Sequence, residues 1–265
     1  MSRGLGDVYK RQDMKGLLIK DFFCLKRQLF TFICICVGVL LVSVLVLISS
    51  EHGNLANGFR NMIADGDLTA EQVATLMQYC MIFVLLIPMA FTGNVADVFL
   101  DDRNASFQKL AGALPISVAK RVASRYITGL SFTMVGFLMD TIIIFVLSRL
   151  TKFMVFADFF GAIVSFASFM IIYLALFILF EYLLGVDRIS IAQILPVILV
   201  GAALIIPHIK EIGAIFLEEN AALNIQAIPE FLMHKSYIPA CAAIVILAGS
   251  YGISVRIAER KRGVA

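Results

Sequence analysis

Tryptophan is absent from this chain, histidine occurs three times and proline six times in 265 residues, and only 15% of the residues are charged while 60% are hydrophobic. So little charge cannot cover the surface of a soluble domain of this length, where charged residues make up about a quarter of the composition. No G-x-x-x-x-G-K-[ST] stretch occurs, which excludes a P-loop cradle for nucleotide phosphates, and no H-E-x-x-H stretch occurs, which excludes the zinc-protease helix. His52, His208 and His234 have no partner at metal-ligand spacing. The five cysteines (Cys24, Cys34, Cys36, Cys80, Cys241) lie in or beside apolar blocks and form no paired framework, so reduced thiols are expected. Cys34 and Cys36 point to different faces of a helix, which speaks against a metal pair.

What the chain has is apolar residues in blocks. A spanning helix needs about 20 of them to cross a hydrocarbon core roughly 30 Å thick. Six blocks qualify: Leu29–Ser49, Met77–Val98, Tyr126–Leu147, Phe159–Leu184, Ile189–Pro207 and Tyr237–Val255. Because open sheet edges cannot satisfy their backbone groups in lipid, the expected fold is an all-α integral membrane protein with six transmembrane helices.

Lys and Arg set the orientation, since they stay preferentially on the cytoplasmic side of short loops. With both termini inside, the inner segments carry fourteen of them: Lys15, Lys20, Lys26, Arg27, Arg103, Lys109, Lys120, Arg121, Arg125, Arg188, Arg256, Arg260, Lys261 and Arg262. The outer segments carry five (Arg60, Arg149, Lys152, Lys210, Lys235) together with most of the loop acids. The net charge of +3 is therefore a topology signal and not a nucleic-acid footprint. Residues 1–13, "MSRGLGDVYKRQD", resemble translated adapter sequence and are set apart as a non-native leader. A second start at Met14 opens a single transmembrane domain over 14–265.

Two ionisable residues fall inside spans, Asp140 in the third and Glu181 in the fourth, and both are candidates for a translocation path. Asp140 is expected to face the bundle interior or a dimer seam, with Ser131, Thr133 or Thr141 to solvate it. Glu181, near the inner end of its helix, is expected to be an interfacial, partly hydrated carboxylate. At about 1.5 Å per residue the two lie too far apart to pair. Pro88 and Pro196 are candidate kinks in the second and fifth spans. Glu218-Glu219 resembles the paired glutamates of intramembrane CAAX-type proteases, but Leu223 stands where that motif needs Arg.

Between the second and third spans lies a basic segment too elaborate for a simple linker. Phe107, Leu110, Ala111 and Leu114 recur at i, i+3, i+4 and i+7 and give a short helix one apolar ridge. Pro115 ends it, and Ser117 caps a second helix carrying Lys120, Arg121 and Arg125 on one side and Val118, Val122 and Tyr126 on another.

The run "SFQKLAGALPISVAKRVASRY" resembles the cytoplasmic loop of ABC-2 type permease subunits, the membrane halves of bacterial ATP-driven exporters. Leu114-Pro115-Ile116-Ser117, followed by Val122, Arg125 and Tyr126, is its most specific part. "MKGLLIKDFFCLKRQ", Met14–Gln28, is similar to the short N-terminal amphipathic helix of that family, particularly of small subunits related to phenol-soluble-modulin exporters. The resemblance implies a multi-pass protein of the bacterial cytoplasmic membrane with both termini cytoplasmic and no cofactor. It implies a coupling helix at Phe107, Leu110, Leu114 and Pro115 that seats on a separate ABC ATPase subunit, and a second permease subunit, identical or not, that completes the path. It also implies that this chain is not itself an enzyme, and that His208–Ser236 folds as short re-entrant or surface helices. Two other readings stay open on the residues alone: an ion-driven secondary carrier using Asp140 and Glu181, and a non-transporting membrane assembly or immunity factor.

Overall fold

A computed structural model describes residues 14–66, 69, 93, 95–105, 116–150, 156–206 and 235–263. Among them are seven α-helices and no strands: α1 (Met14–His52), α2 (Asn54–Ala64), α3 (Val95–Asn104), α4 (Val118–Leu150), α5 (Phe156–Leu184), α6 (Ile189–Ile205) and α7 (Tyr237–Gly263). A 3-10 turn over Val186–Arg188 joins α5 to α6. Among the described residues, four helices are long and apolar enough to cross a membrane, over Met14–Val46, Val118–Leu150, Phe159–Leu184 and Tyr237–Lys261. α6 is apolar and shorter, about 25 Å at 17 residues, and contains Pro196. The expected second span, with Pro88 and Cys80, falls mostly outside the described residues, as do the leader and residues 208–234.

Two expectations are corrected. The N-terminal amphipathic helix is not a separate element: Met14–His52 is one helix of 39 residues, about 58 Å long, which continues unbroken into the first span. No proline interrupts it, and Leu, Lys and Gln across the expected break are good helix formers. Likewise, the helix that starts after Ser117 is no short surface piece. Ser117 does cap it, its Oγ accepting from the Lys120 N–H at 3.4 Å, but the helix runs on through the third span to Leu150. Val118, Val122 and Tyr126 are buried in the core rather than displayed.

α5 is the hub, packing against α4, α6 and α7; α4 also packs on α1 and α7, and α1 on α3. α1 contributes one buried stripe, Leu17, Asp21, Leu25, Phe32, Cys36 and Ser43, spaced by about whole turns, while its other faces are open. Gly129 lets α4 approach α5 closely: a Cβ there would lie 2.5 Å from Leu174 Cδ1. The core divides lengthwise. One cluster gathers Leu25, Phe99, Val122, Tyr126 and Phe177 at the end where α4 begins and α5 finishes. The other gathers Ile144, Leu147, Phe159 and Ile163 at the opposite end.

The antiparallel arrangement therefore brings the start of α1, the finish of α3, the start of α4, the finish of α5 and the finish of α7 to one end. Lys20 and Asp102 meet there, as do Arg103 and Asp187 at 2.8 Å. Lys261 Nζ of α7 donates to the Tyr182 carbonyl at 2.6 Å. Tyr126 and Ser254 share a hydrogen bond of 3.1 Å, with the Tyr126 and Tyr251 rings edge to face at 5.7 Å.

Candidate functional site

The densest chemistry in the described residues is at that end. Asp21 occupies the buried stripe of α1 one turn from Leu17 and one turn from Leu25, so helix periodicity carries a carboxylate into an apolar interface. A buried carboxylate demands partners. Arg125, two turns into α4, donates from Nη1 to Asp21 Oδ1 at 2.9 Å, and Thr128 Oγ1, one turn on, reaches Asp21 Oδ2 at 3.4 Å. The other guanidinium nitrogen of Arg125 pairs with Asp102 of α3. Lys20 closes the figure, with Nζ 2.5 Å from Asp102 Oδ1 and 3.0 Å from Asp21 Oδ1.

Two cations and two anions balance, and both acids are buried. The fork geometry of Arg125 is what allows one side chain to hold two carboxylates from two helices. Its guanidinium also stands over the Phe99 ring, 5.0 Å from the centroid. Two turns further along α1, Gln28 donates to Asp97 of α3. Arranged so, these side chains hold one another and the helix ends that carry them.

Glu181 approaches the same cluster from α5, within electrostatic range of Arg125 and Lys261. It is buried and not the partly hydrated interfacial carboxylate expected, because α4 and α7 pack over α5. That end is closed by Gly185 in the left-handed region (φ 84°), whose N–H donates to the Glu181 carbonyl at 2.8 Å.

Asp140 lies elsewhere, fifteen residues beyond Arg125 along α4 and so about 22 Å away. It is fully buried in the interior of the bundle, and neither carboxylate oxygen has a hydrogen-bond partner among the described residues. The hydroxyls expected to solvate it donate instead to backbone carbonyls of their own helix, Ser131 to Ile127, Thr133 to Gly129 and Thr141 to Phe137. The buried thiol of Cys36 on α1 is within its electrostatic range. Cys34 is exposed where Cys36 is buried, so the two do face apart.

Phe107, Leu110, Leu114 and Pro115 lie outside the described residues, but their flanks do not: Asp102 stands on one side of them and Arg125 on the other. Sequence reasoning counted Lys20 and Arg125 as topology charges and passed over Asp21 and Asp102. The available signal was Asp21 itself, an acid in register with Leu17 and Leu25.

A helical protein with four membrane-length apolar helices among its described residues, whose apolar side chains are widely exposed, is a multi-pass membrane protein. The family model described as ABC-2 family transporter protein matches residues 71–259, well over half of the chain, and the chain belongs to that family. It is thus a membrane permease component of an ABC transporter, a family that works with an ABC ATPase. No curated protein and no solved structure gives a match.

Proposed function

We propose that the chain, over 14–265, is a six-span permease subunit of an exporter in a bacterial cytoplasmic membrane, with both termini cytoplasmic. It forms a translocation path with a second permease subunit and draws energy from ATP hydrolysed on a separate ATPase subunit. The observation that carries this reading is the convergence of helix ends. The Lys- and Arg-rich segments assigned to the inner side by charge count are joined by contacts at one end of the bundle, where the flanks of the 106–115 segment also meet.

The ATPase seats on that segment through Phe107, Leu110 and Leu114, with Pro115 ending the docking helix. Asp140 and Glu181 are the path candidates. Each buried Phe or Leu contributes roughly 1.5–3 kcal/mol, and tenfold in affinity is about 1.4 kcal/mol. Phe107→Ala with Leu110→Ala should therefore leave expression and insertion intact while ATPase co-purification falls at least about tenfold. A double variant that keeps its ATPase refutes the docking assignment, and ATP turnover by the purified chain alone refutes the division of labour.

A further inference from the structure

We infer that Lys20, Asp21, Asp102 and Arg125 form a rigid joint through which the ATPase-docking segment drives the first and third spans as one body. This rests on the permease reading above and adds to it the route by which force leaves the docking segment.

Three observations carry it. First, Asp102 and Arg125 flank residues 106–115 on either side and pair with each other, so the base of that segment is closed. A load applied between them reaches the end of α3 and the start of α4 together. Second, Asp21 and Lys20 fasten α1 to both members of that pair. Because α1 is unbroken from Met14 to His52, a displacement of its first turns is carried into the whole span. α4 is likewise continuous from Val118 to Leu150. Third, the joint is directional. Apolar contacts such as Leu25 and Val122 in the surrounding core allow sliding, because hydrophobic burial is non-directional. A guanidinium fork on two carboxylates fixes distance and angle. Burial also shields these pairs from screening by salt. Glu181 of α5 lies within electrostatic range of Arg125 and of Lys261 on α7.

The test is pulsed electron paramagnetic resonance on the permease in complex with its ATPase. Spin labels go on the exposed positions Ile19 of α1, Asp101 of α3 and Lys120 of α4, taken pairwise, with ADP and after vanadate trapping. With the native cluster, all three distances should be the same in both nucleotide states. In Lys20→Met with Asp102→Leu, which removes one cation and one anion and leaves Asp21 paired with Arg125, the two distances from Asp101 should shift with nucleotide, while the Ile19–Lys120 distance stays fixed and the ATPase stays bound and active. Native distances that change with nucleotide overturn the joint, as does a double variant whose Asp101 distances remain constant or which releases its ATPase. Should the double variant fail to fold, the native measurement alone decides, constancy supporting the joint and parting refuting it. If no ATPase co-purifies with the native chain, the permease reading fails, an outcome separate from any distance result.

Discussion

Replacing Arg125 by Met should be among the most damaging single changes in this protein, and replacing Arg103 by Met among the mildest, although each breaks an Arg–Asp pair with similar contact distances. Arg125 is 11% exposed, and its partners Asp21 and Asp102 are 1% and 7% exposed. Its removal leaves two buried carboxylates that share Lys20 as their remaining cation, and it strips the Phe99 ring of the guanidinium above it. Breaking a buried pair from one side costs about 3–5 kcal/mol, chiefly the desolvation of the charge left behind. Arg103 and Asp187 meet at 2.8 Å but are 50% and 84% exposed, so water replaces whichever partner is lost and the cost stays below about 1 kcal/mol. At about 2–4 °C per kcal/mol for a chain of this size, the midpoint of detergent-solubilised protein should fall on the order of 10 °C for Arg125→Met and by no more than about 4 °C for Arg103→Met. Fluorescence-detected size exclusion after heating measures this directly. Raising the salt concentration should erase the Arg103→Met difference and leave that of Arg125→Met, since screening reaches exposed pairs first. Arg125→Lys should fall between, because an ammonium cannot span both carboxylates as the fork does. Equal losses for the two Met variants would refute the argument that burial, and not the contact itself, sets the energy.

Gly129→Ala should destabilise by about 1–3 kcal/mol, since the new Cβ would lie 2.5 Å and 2.6 Å from the two terminal carbons of buried Leu174. Combining it with Leu174→Ala should cost less than the sum of the two singles in a double-mutant cycle read by the same heating assay, and strict additivity would place the clash elsewhere. For orientation, single cysteines at Asn57 and Asn220 should react with an impermeant thiol reagent in intact cells while one at Lys109 should not; the reverse pattern would invert the topology.

Residue type and order alone determined the class of this protein and most of its spans. Hydropathy acts locally, so blocks such as Phe159–Leu184 and Tyr237–Val255 are recognisable without knowing what they touch, and they reappear within α5 and α7. The resemblance carried by the Leu114–Tyr126 stretch led to the family for the same reason, a short contiguous pattern. The ends of helices were another matter. A Lys or Asp seen in isolation marks the place where a helix should leave lipid, and on that logic α1 and α4 each divide at their charged flanks. In the folded chain Lys20, Asp21 and Arg125 are neutralised by one another and by Asp102, so α1 and α4 run through their charges without a break. Glu181 moved from the interface to the interior because α4 and α7 pack over α5. The partners of these groups stand 82 and 104 residues apart in the chain, and no periodicity or local propensity connects them. Only packing decides whether a charge ends a helix or locks two helices together, because the cost of burying it depends on a counter-charge supplied by another part of the fold.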